Sequence, residues 1–459
     1  MGSFILENTT TTVANTLLRA IHVNTRSAGF MSDLTNPLSV TPGIKIRSCM
    51  TNLYNDMLAH RLTMLPLGVQ DLDAFNPANY ECVLQVKNET AEVRHVRAGD
   101  FKVREKQADG SFVTLGVDAT RAMFPPDPIT GDTSLLVSLM PQRAGKAPEE
   151  VDLTAFPVVS TGKTNIAFSP VCQPSFGNTL DMDPIRRETF FSTWLAENKK
   201  LSDVRIITTT NLDAFYQEWV RTTDGGAAAA AASGQTDPVF ITWLASKPIV
   251  DGSVLVPASL DAYRREWLTM AVQRCFIVDP TTGQPNSFTF KVESVGVRPV
   301  PDVVAEAIRS IVELVRPFAD ATTPGTELGL HVRPVDSRMN GLDVFIDGHE
   351  HTLGNLLQTL IAEESDELGS SITSISYKVP HPLDLVLQLR MGISPDFKGD
   401  TTELARTTIA AAASRAITVF EALGQNWATV VIAPSGLGAG AGTETGPKKP
   451  EHLILSDEE

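Results

Sequence analysis

The chain has 459 residues, 42% hydrophobic and 20% charged, with a net charge of −16. That length admits two or three domains and a sizeable core, and the acidic balance excludes a broad basic face that neutralises phosphates. Apolar runs all fall short of the roughly 18 residues a membrane span needs. Neither membrane insertion nor direct sequence-specific nucleic-acid binding is therefore expected. The longest basic clusters, Arg186-Arg187 and Lys199-Lys200, are too short to grip a duplex. Met1 to Thr12 lacks the positive start and apolar stretch of a secretory signal. Cys49, Cys82, Cys172 and Cys275 form no CxxC pair, so four reduced thiols of an intracellular protein are expected, with no metal.

In chain order, Phe4-Ile5-Leu6 reads as a strand and Glu7-Asn8 as a break. Val13, Thr16, Leu17, Ala20 and Ile21 then fall at i, i+3, i+4, i+7 and i+8, one face of an amphipathic helix. Residues 44–175 read as a mainly β domain, and 176–284 as a further insertion. In that insertion Asp224 to Gly234 carries six alanines and reads as a loop tip. Ser287 to Val292 alternates as a strand. Pro299 to Pro301 leads into a helix with Val304, Ala307, Ile308, Ile311, Val312 and Val315 at core spacing. Residues 319–340 read as a linker, rich in Thr, Pro and Gly at its start.

The opening plan then returns. Val344-Phe345-Ile346 is a strand and Asp347-Gly348 a break. Leu353, Leu356, Leu357, Leu360 and Ile361 repeat the same five-position template, with Asn355 standing where Asn15 stood. Ile372 to Val379 and Leu385 to Met391 read as strands. A long helix follows, with Leu404, Ile409, Ala412, Ala413, Ile417, Phe420 and Leu423 near one face. Residues 431–459, Gly-rich and then acidic, are expected to be disordered. The reading is an α+β chain of two related modules, 1–43 with 285–318 and 341–430, the first interrupted by the large insertion. Two such modules bury their apolar faces on each other about a pseudo-two-fold axis. For that internal interface the spacing nominates Leu17, Ile21, Ile308, Ile311, Leu356, Leu360, Ile417 and Phe420.

Four strings resemble the third-largest subunit of RNA polymerase II, its archaeal counterpart and, more distantly, bacterial alpha. They are Val-Ala-Asn-Thr-Leu-Leu-Arg-Ala at Val13–Ala20, the run from Asp56 to Leu67 with Ala59-His60-Arg61, Gly162 to Val171, and Phe288 to Gly296. His351 to Leu357, with Tyr377 to Leu383, resembles the eleventh subunit of the same polymerase and the small archaeal protein that matches it. The resemblance implies two bacterial-alpha-like dimerisation modules fused in one chain. It implies a non-catalytic assembly platform whose partners are the largest and second-largest polymerase subunits, with small subunits alongside, and no cofactor. It assigns large-subunit contact to Arg19, Asp56, His60, Arg61, Pro66, Gly162, Lys163, Phe168 and Pro170. A single fused chain resembles those of large nucleocytoplasmic DNA viruses, which implies residence in the virion and in the host cytoplasm or nucleus. The chain departs from the family strings at Leu18, Met57, Asn165 and Ala167, and it lacks the cysteine cluster of many relatives.

Other chemistries fit less well. Gly162-Lys163-Thr164 invites a phosphate-loop NTPase, but Pro157 stands where that motif has its first glycine, and Asn165 to Pro170 reads as extended rather than helical. His349 and His351 are two apart rather than the four of a helical zinc pair, and His351 reads as a helix-entry residue. His60-Arg61 reads as a polar pair in a loop without a nearby nucleophile. A free-standing interaction module is the third reading. Co-purification with much larger chains separates it from a polymerase platform.

Overall fold

The computed structural model describes residues 2–32, 43–199, 205–206, 216–221, 254–255, 257–270, 274–320, 327–335, 340–368, 371–432 and 451–454. The alanine run lies outside them, as do 321–326 of the linker and most of the stretch after 432. The fold is mixed helix and sheet, in two compact units, 1–177 with 288–459, and 178–287.

In the larger unit a four-stranded sheet is ordered β2-β3-β1-β8: β1 (Gly2–Glu7), β2 (Val171–Asn178), β3 (Phe288–Ser294) and β8 (Glu451–Ile454). The chain leaves β1 through Asn8, at φ 54°, and enters helix α1 (Thr11–Arg19). Thr10 caps α1 by accepting from the Val13 amide, satisfying one of the donors a helix start leaves open. The helix runs on into a π-helical turn, Ala20–Asn24. Helix α2 (Val300–Val315) follows β3. It tolerates Pro301 in its first turn, where no intrahelical amide is lost, and buries Val303, Val304, Ala307, Ile308, Ile311, Val312 and Val315.

A second sheet is ordered β4-β5-β7-β6: β4 (Leu330–Pro334), β5 (Gly341–Asp347), β6 (Ile372–Lys378) and β7 (Val386–Ile393). Every pairing in it is antiparallel. The residues read as a linker thus hold an edge strand, β4, and those read as a disordered tail hold β8. β8 was obscured because its pairing partner, β1, is distant in sequence, whereas β4 is a short segment paired with the adjacent β5. Gly348, at φ 78°, leads from β5 into helix α3 (His351–Leu368). Gly354 lets α3 lie close on its sheet, since a Cβ there would stand 2.5 Å from Leu387 Cδ1. The long helix α4 (Thr401–Ile432) closes the second half. Its early buried residues are mostly alanines, whereas Phe420, Leu423 and Trp427 fill space further along.

The two halves share one spacing. Asn8 and Gly348, Val13 and Leu353, and Leu17 and Leu357 are each 340 positions apart. Register agrees as well: β1 sets Phe4 opposite Phe290 and Leu6 opposite Phe288, while β5 sets Val344 opposite Leu389 and Ile346 opposite Leu387. One continuous apolar cluster holds β1, α1, β3 and α2 together with β5, α3, β7 and α4. Burying this many aliphatic and aromatic side chains, at about 1.5–3 kcal/mol each, is the main driving force for joining the halves. Polar contacts also cross between them. Trp427 Nε1 donates to the Pro301 carbonyl at 3.0 Å, and Arg316 pairs with Glu421 at 3.1 Å.

Residues 44–155 form a five-stranded antiparallel sheet ordered Ile44–Met50, Glu150–Ala155, Tyr80–Lys87, Lys102–Lys106, Phe112–Thr114. It has its own apolar cluster, which Ala28 and Phe30 join. In the smaller unit, helices Pro184–Lys199 and Pro257–Met270 are linked by Arg264 to Glu188 at 2.8 Å and by the packing of Phe191 and Leu195 with Trp267. Among the described residues no helix is long and apolar enough to cross a membrane.

Candidate functional site

All eight residues nominated for an internal interface lie in or against the one shared cluster: Leu17, Ile21, Ile308, Ile311, Leu356, Leu360 and Phe420 within it, and Ile417 packed on it. Helices α1 and α3 touch directly. Thr12 Oγ1 and Thr359 Oγ1 are 3.0 Å apart. Arg19, about two helical turns beyond Thr12, shares a cleft with Thr352. Thr352 is Thr12 displaced by 340 positions, and Thr359 is Arg19 displaced by the same amount. The start of α1 thus meets the middle of α3, and the end of α1 lines a cleft with the start of α3.

That cleft, about 370 Å³, is lined by Arg19, Asn24, Gly162, Lys163, His349, Glu350 and Thr352 among others. Strand Pro157–Thr161 pairs antiparallel with Arg26–Phe30 and so delivers the turn at Gly162 to the end of α1. The Lys163 amide donates to the Val23 carbonyl at 2.9 Å. Gly162 is required sterically, because a Cβ there would lie 2.6 Å from the His22 carbonyl oxygen. Lys163 itself is exposed. From the second half, Gly348 turns His349 into the cleft's wall against the Phe318 ring, 5.2 Å between centroids. Burial and, secondarily, the Lys163 charge hold the His349 imidazole below its ordinary range. Two fixed cations, a neutral imidazole and the Glu350 carboxylate make a charged recess suited to hydrogen-bonding a polar or acidic segment of another chain.

The other expected contact residues scatter. Asp56, His60 and Arg61 lie on helix Asn55–Thr63 rather than in a loop, because Leu58, Ala59 and Leu62 give that segment a buried face. Arg61 donates to the Leu135 carbonyl at 3.1 Å. Arg19 belongs with Lys163 in the cleft. Pro66 lines a separate cleft with Arg97, Phe124 and Val295–Val297. Phe168 and Pro170 are buried within this chain rather than presented to a partner. Residues 166–168 form a 3-10 turn instead of an extended run. The Phe168 carbonyl accepts from Ser27 Oγ at 2.6 Å and its ring lies against Gly29; the Pro170 carbonyl accepts from the Val295 amide.

Two features escaped the sequence reading. Tyr54, Met57 and Met64 are 77%, 55% and 64% exposed, and with Arg61 they form an outward stripe along helix Asn55–Thr63. Apolar side chains left in water at helical spacing are a recognisable partner-surface signal. The second feature is a buried charge network. Glu306 accepts from Arg26 Nε at 2.7 Å and from Arg298 Nη1, which also donates to the Arg26 carbonyl at 2.8 Å. Burial pushes the Glu306 carboxyl up, but hydrogen bonds from the two arginines outweigh it and hold it below the usual carboxylate range. Nothing local in the sequence pairs residues 280 positions apart.

Burial pushes the Cys82 thiol up to about 12, which leaves it protonated and unreactive. No protein-family model matches this chain, and no curated protein matches it.

Proposed function

We propose that the chain is a non-catalytic assembly platform of a multisubunit DNA-directed RNA polymerase, its two halves acting as fused dimerisation modules about a pseudo-two-fold axis. On this reading the region between them, with the cleft at Arg19, Lys163 and His349 and the stripe at Tyr54, Met57 and Met64, meets the two large catalytic subunits. The platform contributes no reacting group; it holds the large chains so that their own active site forms. The direct packing of α1 on its counterpart α3, with Thr12 against Thr359 inside one shared apolar cluster, supports the reading best. Contact between equivalent helices is what two related units make when they dimerise about a two-fold axis. The polymerase itself is supported by the motif strings at Val13–Ala20, Asp56–Leu67, Gly162–Val171, Phe288–Gly296 and His351–Leu357.

Affinity purification of the tagged chain from its natural host, followed by mass spectrometry, tests the proposal. Two co-purifying chains far larger than this one, carrying RNA-synthesis activity, are expected. Recovery of the chain alone, from cells where it is abundant, would overturn the assignment.

A further inference from the structure

We infer that residues 451–454 act as a detachable cap on an otherwise open sheet edge, and that this cap keeps two copies of the chain from pairing through β1. The strand Glu451–Ile454 runs parallel to β1, with Phe4 opposite Glu451 and Glu7 opposite Ile454. It also lies beside helix α4. The second half shows what this position normally holds. There β5, the counterpart of β1, has β7 on one side and β4 on the other, and β4 is delivered by the residues directly before β5. In the first half β3 takes the place of β7, and the place of β4 goes to a strand from more than 440 residues downstream.

An uncovered β1 would present a row of unpaired amides and carbonyls beside buried Phe4, Ile5 and Leu6, a template for edge-to-edge association. The sequence of the capping segment suits its task. Leu453-Ile454-Leu455 is an apolar run in a polar stretch, and Ser-Asp-Glu-Glu follows it directly. Acidic residues next to a short strand discourage it from recruiting a further strand. The 18 residues 433–450 tether the segment to α4, so its docking is intramolecular and outcompetes a second chain at ordinary concentrations. Its pairing with β1 spans four residues, a short strand whose release leaves the β1–β3 pairing in place.

The test compares the full chain with one truncated after Pro450 and with Leu453→Pro, which removes a backbone donor from the strand. Amide exchange is followed by mass spectrometry in peptides covering Phe4–Glu7, and mass in solution by light scattering across a concentration series. Exchange at Phe4–Glu7 should accelerate by roughly tenfold or more in both variants, as local opening replaces pairing. Both variants should also self-associate where the full chain stays monomeric, and a synthetic peptide of residues 449–459 should reverse both effects. Unchanged exchange at Phe4–Glu7, or variants that remain monomeric throughout, would overturn the inference. Neither readout depends on the polymerase assignment.

Discussion

Asn8 and Gly348 occupy the same backbone corner in the two halves, 340 positions apart, with φ 54° and 78°. Each ends a strand and turns the chain into the helix that packs on its counterpart. Among the described residues Asn8 is the only non-glycine with positive φ, and asparagine is among the few residues that adopt it readily. Asn8→Gly should leave the midpoint of chemical denaturation unchanged or slightly raised. Asn8→Val and Gly348→Val should each lower stability by about 1–2 kcal/mol. Equal tolerance of glycine and valine at Asn8 would contradict the conformation described.

The shared core makes α3 intolerant of charge. Leu356 and Leu360 are 1% and 4% exposed. Leu356→Ala should cost about 2–5 kcal/mol, measured by denaturant titration. Leu356→Asp with Leu360→Asp should abolish the soluble chain and, with it, recovery of an assembled polymerase. Normal assembly by the double variant would count heavily against fused modules.

Gly162 and Lys163 are neighbours with different jobs. A methyl at Gly162 would meet the His22 carbonyl oxygen, so Gly162→Ala should destabilise by about 1–3 kcal/mol through a forced backbone shift. Lys163 is exposed, so Lys163→Ala should leave the melting temperature unchanged yet weaken capture of the large subunits in a pull-down. A melting temperature raised by ATP in the wild type, and not in Lys163→Ala, would favour the phosphate-loop reading instead.

Glu306 sits between two arginines. Glu306→Ala strands the Arg298 charge in the interior and should cost about 3–5 kcal/mol. The wild-type carboxyl is held below its ordinary range, so the stability it contributes is complete above the unfolded carboxylate pKa. That contribution is lost as pH falls through the lower, folded value. Denaturant titrations below the ordinary carboxylate range should show wild type and Glu306→Gln converging.

His349 imposes a second, separable pH dependence. Its folded imidazole is held below the ordinary 6.5, first by burial and then by Lys163. The unfolded chain therefore takes up the proton first, and stability falls as pH drops through 6.5 toward the folded value. His349→Gln should flatten the stability profile in that window and leave the more acidic, carboxylate-driven loss intact.

Periodicity made the repeat legible before any coordinates. Val13 to Ile21 and Leu353 to Ile361 each confine their apolar side chains to one helical face, and such a face dictates both the element and the side that is buried. Leu17, Ile21, Leu356 and Leu360 fall on those two faces, Ile308, Ile311, Ile417 and Phe420 fall at helical core spacing in α2 and α4, and all eight lie in or against one cluster. Tertiary structure decided what depends on remote partners. Phe168 and Pro170 carry a recognisable string but are buried, Phe168 against strand Arg26–Phe30 and Pro170 beside Val295. Glu451–Ile454 becomes a strand only because β1, more than 440 residues away, offers it an edge. Arg26, Arg298 and Glu306 form a charge network that no local window contains, and the same holds for Arg19, Lys163 and His349 in the cleft. Side-chain spacing along a helix or strand is a local property written in consecutive residues. Pairing across hundreds of positions is set by which surfaces remain open once the core has closed.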